Sequence, residues 1–262
     1  MNVMGNLISK EYEQSKLYML ETWNHEGRDI VALTPKNVAK VEAMIRNDSR
    51  YLKASQKGNM EASPFWILEM KKSLENPDVA GNYSFDIIVE NVVRLIDKEN
   101  STHLNSDLVG RSQLADRLIQ NKEKLIQYLK FPRETNLELI RILSERTTKT
   151  ANSKNNRCNL SFASKFCHYA CMYMFEGFPE QDNFSIFDSI VLKALPSYCD
   201  YLGLKKVSTK KLNNYIAYSE TIDQIIKKAG SKISRNGFDH LIWYYFKGRQ
   251  PQKTKRTKGM MI

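Results

Sequence analysis

Lys165 and Asp188 are the two residues of this sequence whose types and surroundings are suited to covalent chemistry. Lys165 lies in the apolar stretch 160–175, and a lysine among apolar side chains loses its proton more easily, which leaves a neutral amine able to act as a nucleophile. The positive end of a helix that begins near residue 160 acts in the same direction. Asp188 follows 23 residues later, at the predicted start of another helix, where backbone N–H groups keep a carboxylate ionised. A neutral amine near a carboxylate suits attack at a sugar C1′, because the carboxylate stabilises the developing positive charge while the amine displaces the base.

The helices that would position these two residues are indicated by apolar periodicity and by capping residues. Thr34-Pro35 and Ser63-Pro64 are typical of helix starts, and each precedes an amphipathic stretch. Residues 84–97 favour a helix, although their runs of β-branched residues leave a strand possible. Residues 106–130 predict one long helix or two short ones, ended by Pro132.

The second half of the chain shows the strongest helical pattern. Residues 160–175 are apolar around the whole helical circumference, which is typical of a helix buried inside its domain. Ser208 or Thr209 is predicted to cap a long amphipathic helix that ends at Gly230, and a last helix covers the FDHLIWYYF stretch. The sequence therefore predicts an all-α fold with short connections.

Composition narrows the class of protein. The chain has 262 residues, of which 42% are hydrophobic, and this argues against disorder. Its net charge of +11 favours a polyanionic partner, either nucleic acid or an anionic membrane surface. Residues 1–20 lack the apolar run of a secretory signal, and no stretch reaches the roughly 18 apolar residues that span a bilayer. Four cysteines in a chain without an export signal predict reduced thiols in a cytoplasmic protein that does not enter the membrane.

Roughly residues 135–200 resemble the helix-hairpin-helix DNA glycosylases, including the 8-oxoguanine type. In that family a glycine-bearing hairpin leads into a helix that carries the catalytic lysine, and an extended segment leads to the catalytic aspartate. Residues 161–165 (SFASK) are similar to the end of the hairpin, and residues 184–188 (FSIFD) are similar to the approach to the aspartate. Two features depart from the family pattern. Ser161 and Ala163 stand where the family has glycines, and the lysine–aspartate spacing is longer, which implies a longer loop at residues 175–183.

The resemblance implies a glycosylase fold of two helical halves with a cleft between them. Residues 1–262 would form a single unit in which the hairpin-bearing half, roughly 105–190, faces a second half made of residues 1–104 packed with 191–250. Residues 251–262 would form a basic tail. The implied partner is double-stranded DNA, bound by a monomer with no cofactor and no metal. No four-cysteine run follows the last helices, so the iron–sulfur branch of the family is not indicated.

The resemblance also implies a mechanism and a set of site residues. A target nucleotide would be flipped into a pocket, Lys165 would attack C1′ and form a Schiff base, and Asp188 would stabilise the charged intermediate. The residues expected at the DNA backbone are Lys154, Arg157, Asn159, Ser161 and Ser164, and those expected around the flipped base are His168, Phe187, Trp243 and Tyr244. The target would be an oxidised purine in DNA repair or, from a weaker likeness to prokaryotic glycosylase-like proteins of phage defence, a bulky modified base in antiviral defence.

Several structural interpretations compete with these assignments. Lys165 could be a surface lysine, Asp188 only a helix cap, and His168 a hydrogen-bonded core histidine. Cys158, Cys167 and Cys171 lie close enough to His168 in the sequence to suggest a metal site, but their spacing matches no standard zinc pattern. Two other functional classes stay open: a non-catalytic helix-hairpin-helix DNA-binding module, favoured by the replaced glycines, and a helical protein–protein adaptor.

Overall fold

Helices dominate the chain, as predicted. The structure is a computed structural model that describes residues 19–77, 81–100, 104, 108–147 and 158–249. The α-helices in this part of the chain are α1 (Pro35–Arg46), α2 (Ser49–Ala54), α3 (Ser63–Glu75), α4 (Phe85–Asn100), α5 (Leu108–Gln120), α6 (Leu125–Lys130), α7 (Glu138–Ser144), α8 (Leu160–Met174), α9 (Ser189–Tyr201), α10 (Thr209–Leu212), α11 (Tyr215–Lys228) and α12 (Arg235–Arg249). Short 3₁₀ turns cover Lys122–Lys124 and Pro179–Asp182. Among the described residues, no helix combines the length and the apolar character that crossing a bilayer requires.

A small antiparallel hairpin precedes these helices, and the described part of the chain otherwise agrees with the predicted all-α class. Strands β1 (Thr22–His25) and β2 (Arg28–Val31) pair with Thr22 opposite Val31. The turn between them places Glu26 and Gly27 at positive φ angles of 48° and 73°. The hairpin was not predicted, because strands of four residues are too short to give a clear period-two pattern.

The two predicted helix starts that precede a proline, at Thr34 and Ser63, have different outcomes. Thr34 is the N-cap of α1, and its hydroxyl accepts a hydrogen bond from the Asn37 N–H at 3.2 Å, as predicted. Ser63 is not a cap: it is the first residue of α3, and its N–H and hydroxyl both donate to the Glu99 carboxylate at 2.9 and 2.6 Å. A carboxylate from α4 therefore accepts hydrogen bonds at the start of α3, where backbone N–H groups have no partner within the helix. The local sequence does not specify this contact.

The structure also decides the segments that the sequence left open. Residues 84–97 are helical and belong to α4, and residues 106–130 contain two helices, α5 and α6, rather than one. The long helix predicted after Ser208 is divided, because Asn214 caps a second helix, α11, through a hydrogen bond from the Ala217 N–H. Gly230, with φ of 64°, follows the end of α11 as predicted.

The apolar helix α8 lies in the middle of the fold, as predicted. Its side chains are buried nearly all round, and it packs against α3, α4, α6 and α7. Among the other helices, α12 packs against α1 and α9. Because α3 and α4 come from residues assigned to the second half, α8 contacts helices of both predicted halves. The division into halves stays a prediction, and the basic tail 251–262 lies outside the described residues.

Candidate active site

Lys165 is a buried lysine rather than a surface one. It lies in the second turn of α8 with 8% of its surface exposed, and its Nζ donates a hydrogen bond to the Asn100 carbonyl oxygen at 2.8 Å. Asn100 is the last residue of α4, so the amine satisfies a carbonyl that the helix itself leaves unpaired. Burial lowers the pKa of Lys165; the Asp188 carboxylate opposes the shift, and the Lys247 ammonium adds to it.

Asp188 is half-buried at the start of α9. It is the N-cap of that helix, and its Oδ1 accepts a hydrogen bond from the Ile190 N–H at 2.7 Å. The predicted helix start is thus confirmed. Capping uses one carboxylate oxygen, and the side chain also faces the cavity that contains Lys165.

The Lys165 and Asp188 side chains line the same cavity, of about 510 Å³. Its walls come from α1, the end of α4, α8, residues 186–191 and α12. A second cavity of about 710 Å³ adjoins it. The residues that line both are Ile45, Glu99, Asn100, Tyr169 and His240. We name the first the catalytic cavity, after the chemistry proposed for it below, and the second the adjoining cavity.

The segment 184–188, which leads to Asp188, is held in place through its backbone by five side chains. Three side chains donate hydrogen bonds to its carbonyl groups: His168 Nδ1 to Phe184 (2.8 Å), the Tyr215 hydroxyl to Ser185 (2.7 Å) and the Tyr218 hydroxyl to Ile186 (2.7 Å). Two side chains accept hydrogen bonds from its N–H groups: Asp239 Oδ2 from Ile186 (2.7 Å) and Ser164 Oγ from Phe187 (2.9 Å). These side chains belong to α8, α11 and α12. Three helices therefore fix the backbone that presents the Asp188 carboxylate to the cavity.

The structure brings some of the predicted base-pocket residues together and separates others. Phe187 and Trp243 line the catalytic cavity, and the Lys247 ammonium lies 3.9 Å from the centre of the Trp243 ring. Tyr244 packs beside Trp243 and is not part of the lining of either cavity. His168 is buried behind the catalytic cavity, where its bond to Phe184 agrees with the core-histidine interpretation; burial lowers its pKa.

The predicted phosphate-binding residues need correction. Ser161 lines the catalytic cavity, but Ser164 is fully buried with its hydroxyl bonded to the Phe187 N–H. Asn159 is also buried, and its amide donates to the Glu145 carbonyl and the Thr147 hydroxyl. Ser164 and Asn159 are therefore structural, because neither side chain has a surface at which a phosphate could be bound. Lys154 and Arg157 lie outside the described residues.

Several residues of the site were missed by sequence reasoning. Asn100 and Glu99 line both cavities, yet they lie 65 and 66 residues before Lys165, so no local pattern links them. Asp239 and His240 had a usable signal, since they interrupt the apolar FDHLIWYYF stretch with two titratable side chains. A buried polar pair in an apolar helix is a candidate for a site.

The residues considered for a metal site are accounted for by other interactions. Cys167 and Cys171 are buried free thiols, and burial raises the pKa of both, which disfavours the thiolate that a metal requires. Within the described ranges, the ligand atoms of His25, Glu26 and Asp200 lie within 4.8 Å of one another at the surface. There Asp200 contacts His25 Nε2 at 3.1 Å through one carboxylate oxygen and a nearby lysine ammonium at 3.5 Å through the other, so both of its oxygens already have partners.

Comparison with known proteins found no match: the chain matches no protein-family model, no curated protein and no solved structure.

Proposed function

We propose that this chain is a DNA glycosylase in which Lys165 is the nucleophile and Asp188 stabilises the charged intermediate. The observation that carries the proposal is a buried lysine amine in the wall of a cavity that also contains a carboxylate. Burial lowers the pKa of this lysine, so a larger fraction of the amine is neutral than in water. The resemblance of residues 135–200 to helix-hairpin-helix glycosylases, in which these two residues correspond to the catalytic pair, supports the same chemistry.

The proposed reaction begins with a nucleotide flipped into the catalytic cavity. The lone pair of Lys165 Nζ forms a bond to C1′, the bond between C1′ and the base breaks, and its electron pair leaves with the base, which takes up a proton. The amine then loses a proton, and opening of the sugar ring gives a Schiff base that can lead to strand cleavage. Asp188, fixed by the hydrogen-bonded segment before it, supplies negative charge beside the positive charge that develops at the sugar.

The proposed substrate is double-stranded DNA, which the net charge of +11 favours. The catalytic cavity, of about 510 Å³, is by itself large enough for an oxidised purine. The adjoining cavity of about 710 Å³ offers room for a further substituent, so it favours a bulky modified base as the second candidate target. Repair and antiviral defence correspond to these two targets.

Borohydride trapping on duplex DNA with an abasic site tests the nucleophile. We expect the wild-type protein to form a covalent adduct and Lys165→Met to form none. Lys71→Met is the matched control, because the Lys71 amine also donates to a helix-end carbonyl, that of Met174, but lies outside both cavities. This control should form the adduct at the wild-type rate.

A glycosylase without lyase activity would release the base without forming the adduct. Alkaline cleavage is therefore also measured after incubation with duplexes that contain 8-oxoguanine or a cytosine with a bulky C5 substituent. A wild-type protein that gives neither adduct nor cleavage, or a Lys165→Met variant that still traps, contradicts the proposed mechanism.

A second candidate is the non-catalytic DNA-binding module. The Lys165 amine already bonds the Asn100 carbonyl, as a structural lysine would, and Ser161 and Ala163 replace the hairpin glycines. This function predicts salt-dependent DNA binding that is equal in the wild type and Lys165→Met, with no adduct in either. A helical protein–protein adaptor predicts no salt-sensitive affinity for DNA at all.

A further inference from the structure

One face of α12 presents three polar side chains to the two cavities. Asn236 lines the adjoining cavity, Asp239 lines the catalytic cavity and His240 lines both. Their spacing of three and four residues places them on one side of the helix. We name this set the polar face of α12.

Two of these side chains have a buried atom without a hydrogen-bond partner in the described part of the chain, Asp239 Oδ1 and His240 Nδ1. Asn236 instead forms a side-chain hydrogen bond with the buried His168. Asp239 Oδ2 accepts a hydrogen bond from the Ile186 N–H, so only Oδ1 of this carboxyl group lacks a hydrogen bond. The side chain is only 3% exposed. Buried polar atoms in folded proteins are nearly always bonded, because an unmade bond is destabilising. Two such atoms on consecutive residues that line the cavities indicate that their partner comes from outside the chain.

Burial disfavours a charge on both titratable side chains of this face. Burial, assisted by the neighbouring His168, lowers the pKa of His240 to about 4. Burial raises the pKa of Asp239 well above its usual value; the Ile186 N–H opposes this shift, and the Asp182 and Asp188 carboxylates add to it. A neutral imidazole and an amide together offer both hydrogen-bond donors and acceptors, and the raised pKa of Asp239 disfavours its charged form. Such a surface suits an uncharged ligand and disfavours a phosphate.

We infer that the polar face of α12 binds the hydrogen-bonding edge of an uncharged heteroaromatic ring, namely the nucleobase that the proposed glycosylase takes into its cavity. This inference rests on the proposed function. Tyr169 and Phe187 line the same cavities and supply aromatic surface for the faces of such a ring. The polar face then determines which base edge is accepted, whereas Lys165 and Asp188 act at the sugar.

The test measures binding of free bases to the whole chain, by ligand-observed NMR with adenine, cytosine, hypoxanthine and 5-hydroxymethylcytosine as probes. We expect at least one base to bind the wild type and inorganic phosphate not to compete. His240→Leu removes both ring nitrogens at similar volume, and loss of one uncharged hydrogen bond should weaken binding about two- to tenfold. Asp239→Asn keeps an acceptor and a donor at that position and should bind nearly as well as the wild type. His25→Leu is the control, because His25 lies on the β-hairpin away from both cavities.

The outcomes separate this inference from the proposed function. If no base binds the wild type, or if His240→Leu binds as tightly as His25→Leu does, the polar face only holds buried water and the inference is wrong. Asn236→Leu provides the same comparison at the other end of the face if His240→Leu does not fold. Borohydride trapping on abasic DNA does not require a base, so it tests the Lys165 chemistry separately. Base binding that depends on His240, without trapping, supports the polar face and contradicts the Lys165 chemistry. Trapping without base binding that depends on His240 supports the Lys165 chemistry and contradicts the inference about the polar face.

Discussion

Replacing Lys165 with methionine tests whether the folded protein holds a neutral amine. Methionine fills a similar volume without a charge, so the variant loses two things: the hydrogen bond to the Asn100 carbonyl and the titrating group. Loss of the hydrogen bond destabilises the variant by about 1 kcal/mol at every pH. Loss of the titrating group has an effect that depends on pH.

The sign of the pH effect follows from the lowered pKa. The pKa of Lys165 in the folded protein lies below the ordinary value of 10.5, mainly because the side chain is buried. Between these two pKa values the unfolded chain binds a proton that the folded chain does not, so lowering the pH favours unfolding of the wild type. In this window the unfolding free energy of the wild type falls, relative to Lys165→Met, by about 1.4 kcal/mol for each pH unit. The wild type therefore loses its advantage over Lys165→Met progressively as the pH falls through this window.

Urea denaturation of both proteins, from about pH 10.5 down to about pH 7, measures the difference directly. Lys71→Met, measured in parallel, gives the baseline for removal of another lysine that bonds a helix-end carbonyl. A constant difference between the wild type and Lys165→Met across this range would mean that Lys165 keeps its proton in the folded state. That result would refute the neutral nucleophile, whatever activity the protein has.

Three further predictions concern the walls of the site. Burial lowers the pKa of His240 from 6.5 to about 4, so the unfolded chain binds a proton at a higher pH than the folded chain does, and the unfolding free energy should fall by about 3 kcal/mol as the pH decreases through that range. Urea denaturation at both ends of the range should show a smaller loss of unfolding free energy in His240→Leu than in the wild type. Tyr218→Phe leaves the half-buried Ile186 carbonyl without its donor, so we expect a loss of roughly 1–3 kcal/mol in urea denaturation and slower borohydride trapping. Unchanged trapping would disprove the role of this bond in positioning Asp188. Gly237→Ala should destabilise by about 1 kcal/mol despite the better helix propensity of alanine, because the new Cβ would lie 2.8 Å from Val38 Cγ1; adding Val38→Ala should cancel this loss, and a double variant no better than the single one would contradict the packing argument.

The local sequence was sufficient to predict the helices that carry Lys165 and Asp188. The apolar circumference of residues 160–175 predicted a buried helix, and this alone placed Lys165 in an environment where its charged form is disfavoured. The helix start at Asp188 was also predictable, since an N-cap is recognised from its own residue type and the helix that follows. The partner of the Lys165 amine was not predictable, because Asn100 belongs to a helix far away in the sequence.

The tertiary structure also decided which polar residues are available to a ligand. Asn159 and Ser164 have the residue types of phosphate ligands, yet packing buries both and uses their side chains to join segments. Asp239 and His240, by contrast, sit in an apolar stretch but have unpaired atoms at the cavities.

The sequence by itself determined the helical class and the two residues best suited to chemistry. Helix periodicity and capping depend on neighbours within about one helical turn, so these features can be read from the order of residues. The depth of burial, the hydrogen-bond partners and the pKa shifts depend on atoms brought together from distant helices. Only the packing of α4, α8, α9 and α12 could therefore decide that Lys165 and Asp188 share a cavity.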